Sequence, residues 1–330
     1  MEDAALFWFR QDLRLSDNPA LVAASKHTHV VPVYIIDTKT PGTSALGAAS
    51  RWWLHWSLHA LNQSLGGKLS LYKGDPQQIL EDLVERFSLR AVHWNRCYES
   101  WCTERDTKIK SVLTDKNVYV ESHNGSLLWE PWEIKKDDGT PYKVFTPFYR
   151  KGCMNAAAPR KPVEAPKVAS WLKDDVKALS LNDLELRPKI KWDKMLAPNW
   201  SIGEQGANER LQNFIQTGLE SYKEGRNEPS KPFVSRLSPH LRFGEVSPNQ
   251  VWYAATSQGD GKNIDHFCSE LGWREFSYSL LYNNPDIAVV NIQKKFDAFP
   301  WSSDPTSLLA WQEGATGVPM VDAGMRELWQ

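Results

Sequence analysis

The sequence predicts an α/β domain built on a Rossmann-like parallel sheet, followed by an all-α domain. Three observations carry this expectation. Short β-branched or aromatic runs alternate with helical patterns over roughly the first 125 residues. The connections between them are short, which implies right-handed crossovers and parallel strands. Beyond about Gly203 only helical periodicity remains. The 330 residues suffice for two sizeable cores, and a composition of 41% hydrophobic and 24% charged residues excludes a disordered chain.

Ala4–Phe9, His29–Ile36, Lys68–Tyr72, Ala91–Asn95 and Val118–Ser122 read as strands. Asn18 as N-cap with Pro19 at the first helical position opens a helix over Ala20–Lys26. Leu54, Leu58, Leu61 and Leu65 mark one face of a helix beginning near Ser50. Pro76 opens another through Phe87, and Glu99–Leu113 is a third. From Pro131 to Lys173, nine Lys/Arg face four Asp/Glu, with prolines at 141, 147, 159, 162 and 166. That stretch reads as a basic, extended linker over the surface, of a length that implies a role. Helices are expected over Asn208–Gln216, Asn249–Thr256, Ile264–Tyr282 and Thr306–Gln312. The organisation is then an α/β domain over 1–128, a linker over 129–200 and a helical domain over 201–330.

Lys+Arg is 39 and Asp+Glu 40, a net charge of -1. Nucleic-acid binding by bulk charge is excluded, while a local basic groove stays open. The 16 tryptophans place aromatic side chains in the core and on any binding surface. Cys97, Cys102, Cys153 and Cys268 are too scattered for a disulfide scaffold or a metal ribbon, so buried, reduced thiols and no metal are expected. The acidic start lacks the basic segment of a signal peptide, and no apolar run is long enough for a membrane span. A cytoplasmic protein is expected, or a nuclear one in a eukaryote. No G-x-G-x-x-G follows the first strand and no phosphate-binding P-loop occurs, which disfavours both nucleotide-binding classes.

Three clusters carry chemistry. Phe7-Trp8-Phe9-Arg10-Gln11-Asp12-Leu13-Arg14-Leu15-Ser16-Asp17-Asn18 packs two arginines and two aspartates between a strand and a helix, as a salt-bridged structural turn would. The run from Pro232 to Glu245, with Ser235-Arg236-Leu237-Ser238-Pro239, is either a plain capped turn or a phosphate cradle of hydroxyls and backbone N–H groups. In Glu270-Leu271-Gly272-Trp273-Arg274-Glu275-Phe276, the i and i+4 positions of Glu270 and Arg274 allow an exposed ion pair. Trp273 between them is either core or a stacking platform for a flat ligand or base.

In this order and spacing the clusters resemble the DNA photolyase/cryptochrome family, above all the class I cyclobutane pyrimidine dimer photolyases. Leu309-Ala310-Trp311-Gln312-Glu313-Gly314 and Pro319–Arg326 look like a further family signature, so the resemblance runs from residue 5 to 330. It implies an antenna-type α/β domain followed by a flavin-binding helical domain. The latter would hold FAD folded into a U, whose reduced form donates an electron under light to a pyrimidine dimer flipped out of DNA. The activity implied is that of a deoxyribodipyrimidine photo-lyase, a carbon–carbon lyase. It would work as a monomer on damaged DNA, associated with the nucleoid when bound.

By the same resemblance, Tyr222, Val234, Ser235, Arg236, Leu237, Ser238, Phe267 and Arg274 would contact the flavin. Val234 replaces a frequent Thr, so only its N–H can serve, and Phe267 stands where some members have Trp. Glu270 would hydrogen-bond the dimer and Trp273 would stack on it, as the catalytic pair. Arg226 and the run Glu270, Leu271, Gly272, Trp273, Arg274, Glu275, Phe276 and Ser277 would face DNA. Trp301 matches the surface member of a tryptophan electron relay. Glu104 matches a folate-contacting carboxylate, with methenyltetrahydrofolate or a deazaflavin as the antenna; an ion pair to Lys108 explains it equally well. Family members continue past the position of Gln330, so an incomplete helical domain is expected, with a flavin pocket open on one side. Two other readings compete. One is a cryptochrome-type photoreceptor, against which the Glu270 and Trp273 pair argues. The other is an inactive fragment folded in its α/β half alone.

Overall fold

The computed structural model describes residues 3–329. Strands β1 (Ala4–Phe9), β2 (His29–Asp37), β3 (Ser70–Gly74), β4 (Ala91–Asn95) and β5 (Tyr119–His123) form a parallel sheet in the order β3-β2-β1-β4-β5. A short β6 (Ser170–Trp171) adds to β2 at His29 and Val30. Helices α1 (Pro19–Ala24), α2 (Ala48–Ser64), α3 (Pro76–Phe87) and α4 (Ser100–Asp115) make the crossovers. Alternation along β1 sends Phe7 and Phe9 into one apolar layer with α1 and α2, and Ala4, Leu6 and Trp8 into the other with α3 and α4.

Local signals account for the element ends. Asn18 accepts from the Leu21 N–H at 3.2 Å, with Pro19 opening α1, and Asp75 accepts from the Gln77 N–H at 2.9 Å ahead of Pro76. Helix α1 stops two residues short of expectation, because Ser25 caps it with its hydroxyl on the Val22 carbonyl at 2.9 Å. Strand β3 begins two residues late. The N–H groups of Lys68 and Leu69 are taken by the turn, by the Leu65 carbonyl and Asn62 Oδ1.

The helical half comprises the single turn α5 (Phe145–Pro147), then α6 (Glu204–Thr217), α7 (Tyr222–Gly225), α8 (Ser238–Phe243), α9 (Pro248–Thr256), α10 (Lys262–Asn283), α11 (Pro305–Gln312) and α12 (Pro319–Trp329). Ser247 and Gln250 close a capping box at the start of α9. Most of the basic stretch over 131–173 is exposed or half-buried, and a few of its apolar residues anchor it to the helical core. Ile134, Phe148, Tyr149 and Cys153 of this stretch join the helical core, as does Trp129 just before it, while Leu184 and Leu186 after it join the α/β core. Their apolar side chains carry no periodicity, which is why they read as linker. No described helix is long and apolar enough to cross a membrane.

The Arg10–Asn18 turn binds the halves together. Buried Arg14 donates to the carbonyls of Asp17, Gly125 and Gly244. Asp17 accepts from Arg160, from the Val163 N–H and from the Ser247 hydroxyl. Gly244 has φ +68°, and a Cβ there would lie 2.0 Å from the Gln11 carbonyl oxygen, so only glycine permits this approach. The structural reading of that turn therefore holds.

Candidate functional site

Helix α10 carries the central site residues. Its outward line is Glu270, Trp273 and Ser277, spaced i, i+3 and i+7 on one face. Glu270 does not pair with Arg274. It forms an ion pair with Arg226 of the segment after α7, the two side chains being 33% and 30% exposed. Arg226 also lies 5.4 Å over the Tyr222 ring and 3.4 Å from His266 Nε2, and Glu270 holds its guanidinium above the usual arginine range. Arg274 is engaged elsewhere. It donates to Glu275 at 3.1 Å and covers Tyr278, which packs edge-on against Tyr98 of the α/β half.

Trp273 is 46% exposed, so it is not core. One of its faces lies on Phe145, with ring centroids 3.7 Å apart and planes 11° from parallel, and Phe145 stacks in turn on Tyr149. Gly272 makes this platform possible, since a Cβ at that position would sit 2.4 Å from the Tyr149 ring. Leu271, Gly272, Glu275 and Phe276, expected to face DNA, are buried on the core-facing side of the helix. Glu275 accepts from the Leu128 and Trp129 N–H groups at 2.9 and 3.3 Å, and burial pushes its carboxyl up to about 7. Phe145 and Tyr149 escaped the sequence reading because they lie in the aperiodic basic stretch; the aromatic spacing Phe145-x-x-Phe148-Tyr149 was their signal.

The second group centres on the loop before α8. Tyr222, Phe267 and Leu237 share one core cluster, with Tyr222 and Phe267 rings edge-on at 5.2 Å. Gly225 lets Phe233 close onto α7, where a Cβ would approach the phenyl ring to 2.4 Å. Over this base run Val234, Ser235, Arg236 and Ser238, none of them buried, and Arg236 adopts φ +52°. Among the described residues the N–H groups of Val234, Ser235 and Arg236 have no protein acceptor. The guanidinium groups of Arg236 and Arg210 both lie on Trp200, at 4.6 and 5.1 Å, without a carboxylate partner among the described residues.

Two expected residues stand apart. Trp301 is exposed and packs on Phe299 at 4.6 Å. Glu104 is exposed on α4 and makes no ion pair with Lys108 among the described residues. A groove of about 700 Å3 along α6, from Glu204 to Gln216, shares no residue with either group.

The DNA photolyase family profile matches residues 5–167, and the FAD binding domain of DNA photolyase matches residues 267–330. A deoxyribodipyrimidine photo-lyase of Agrobacterium fabrum is 43% identical over 98% of this chain and 69% of its own length. The chain belongs to the DNA photolyase/cryptochrome family. Cryptochrome-2 of Arabidopsis thaliana is 33% identical, over all of this chain and 57% of the relative. Among solved structures, a class III photolyase from Agrobacterium tumefaciens superposes with TM-score 0.92 at 42% identity, covering 100% of this chain and 69% of that one. A Synechocystis cryptochrome superposes with TM-score 0.86 at 25% identity, covering 98% and 71%. Class III is a branch the sequence reading did not name.

The family's flavin is FAD. The loop fits a dinucleotide on its own geometry. Three consecutive N–H groups without protein acceptors among the described residues, with the hydroxyls of Ser235 and Ser238 in the same loop, suit a diphosphate, and the paired guanidinium groups add positive charge beside them.

Proposed function

We propose that this chain repairs cyclobutane pyrimidine dimers in DNA under light. FAD, when bound and reduced, supplies the light-absorbing electron source for a redox-neutral splitting of the dimer's two carbon–carbon bonds. Ser235, Arg236, Leu237 and Ser238 with the Val234 N–H would hold its diphosphate, over the apolar base of Tyr222 and Phe267.

The observation that carries the reading is the pairing of Glu270 with Arg226 beside a half-exposed Trp273 on the same helix face. A flipped lesion needs a polar partner for its base edges and a flat wall for its ring. Glu270 provides acceptors for pyrimidine N–H groups, and Arg226 orients that carboxylate. Trp273 provides the wall, and Phe145 behind it fixes the ring's tilt. The lysines and arginines of 131–173 supply the phosphate contacts that position the duplex. An antenna chromophore, folate or deazaflavin, would sit on the α/β half.

The test is a dimer-containing oligonucleotide incubated with the purified, reduced chain in light and in the dark. Light-dependent restoration of the pyrimidines supports the reading. A bound flavin with no restoration favours a photoreceptor, the alternative raised by the cryptochrome relatives. Repair of a (6-4) photoproduct alone overturns the lesion assignment.

A further inference from the structure

We propose that His93, Glu121 and His123 form a site for one divalent transition-metal ion of the zinc class, tying the edge strand β5 to β4. The strand register brings them together. His93 stands opposite Glu121, and Glu121 and His123 are two apart on β5, so all three side chains project from the same face of the sheet. One donor atom from each lies within 4.8 Å of the others. Glu121 Oε2 is 3.9 Å from His93 Nδ1 and 3.5 Å from His123 Nε2. Tetrahedral coordination at about 2.0–2.1 Å sets ligand atoms roughly 3.3 Å apart, so a small inward movement completes three of four positions.

The hydrogen bonding at this site is unfinished. His93 is buried, its side chain 3% exposed, and among the described residues neither ring nitrogen has a hydrogen-bond partner. Nε2 of His123 also lacks one among these residues. Buried polar atoms are seldom left unmatched, because each costs about 1–3 kcal/mol. A metal ion would engage a nitrogen of each imidazole at once, with the carboxylate neutralising part of its charge. The rings of His27 and Tyr119 stand 5.9 and 6.0 Å from that of His93 and wall the site. Glu121, 43% exposed, leaves a path from solvent, and water would take the fourth position. Two imidazoles and one carboxylate suit zinc, cobalt, nickel or copper better than calcium or magnesium. Neither the flavin loop nor the Glu270 helix contributes a residue.

The experiment titrates the whole chain, stripped with a chelator, with zinc chloride by calorimetry and with cobalt chloride by visible absorption. The expected result is one ion per chain, an intense tetrahedral-type cobalt spectrum and a melting temperature that rises with zinc. Glu121→Gln should weaken binding at least tenfold and His123→Ala should abolish it, with zinc no longer raising the melting temperature. Both substitutions lie on the edge strand and are partly exposed, and circular dichroism without metal verifies that they fold. No bound ion, or unchanged binding in both variants, overturns the proposal. So does loss of the ion in Cys102→Ser alone, which would place it at Cys97, Glu99 and Cys102, a second group among the described residues close enough to bind one.

Discussion

Two charged clusters look alike in the sequence and behave oppositely in the structure. Arg10, Asp12, Arg14 and Asp17 are buried; Arg10 and Asp12 bond Asp106 and Asn95 within the α/β half, while Arg14 and Asp17 reach the Gly244 carbonyl and the Ser247 hydroxyl across the joint between the halves. Arg226 and Glu270 are only partly buried, satisfy mainly each other, and stand beside an aromatic ring open on one face. Burial with nearly every polar atom paired, Arg10 Nε being the exception among the described residues, marks a joint. Partial exposure with spare hydrogen-bonding capacity marks a site where a ligand can compete.

Breaking the joint should have the largest effect. Arg14→Ala leaves the Gly125, Gly244 and Asp17 carbonyls without their donor, and should cost about 3–5 kcal/mol in denaturant unfolding. A loss below about 1 kcal/mol would remove the distinction between the two clusters.

Next comes the platform. Trp273→Ala should weaken binding to dimer-containing duplex by about 1–3 kcal/mol while undamaged duplex binds as before, the range for loss of one base–aromatic stack. Phe145→Ala, which removes the support behind the ring, should give a smaller loss in the same direction. Equal losses for both duplexes, with a lower melting temperature, would make Trp273 structural.

Between the clusters lies Glu275, buried like the joint yet on the site helix. Burial raises its carboxyl to about 7 in the folded chain, against an ordinary value of 4.5. The folded state thus binds more protons than the unfolded one, and this group's contribution to stability declines as pH rises from about 4.5 to 7. Glu275→Gln should flatten that part of the stability–pH profile. An unchanged profile would show that Arg274 and the two N–H groups of Leu128 and Trp129 keep the carboxylate ionised.

The smallest expected effect sharpens the comparison from the other side. Arg226→Ala and Glu270→Ala should each change folding stability by no more than about 1 kcal/mol, as for partly exposed ion pairs. Repair yield per photon should nevertheless fall sharply with Glu270→Ala while the flavin spectrum stays. Loss of flavin together with normal repair per bound flavin would move Glu270 to the structural class.

The sequence by itself determined the parallel α/β half, because strand alternation, the caps at Asn18 and Asp75 and the prolines after them are local signals. It also sufficed for the family, through motifs whose residues are contiguous, and for placing Glu270 and Trp273 on one helix. Only the tertiary structure decided which partner each charge takes. Arg226 and Glu270 are 44 positions apart, and their pairing displaced the i, i+4 pair that helix spacing alone would favour. The same holds for Phe145 behind Trp273, for Tyr149 against Gly272, and for His93 opposite Glu121 and His123. Periodicity reports which way a side chain faces along its own element, whereas these contacts depend on how separate elements pack, which no local pattern records.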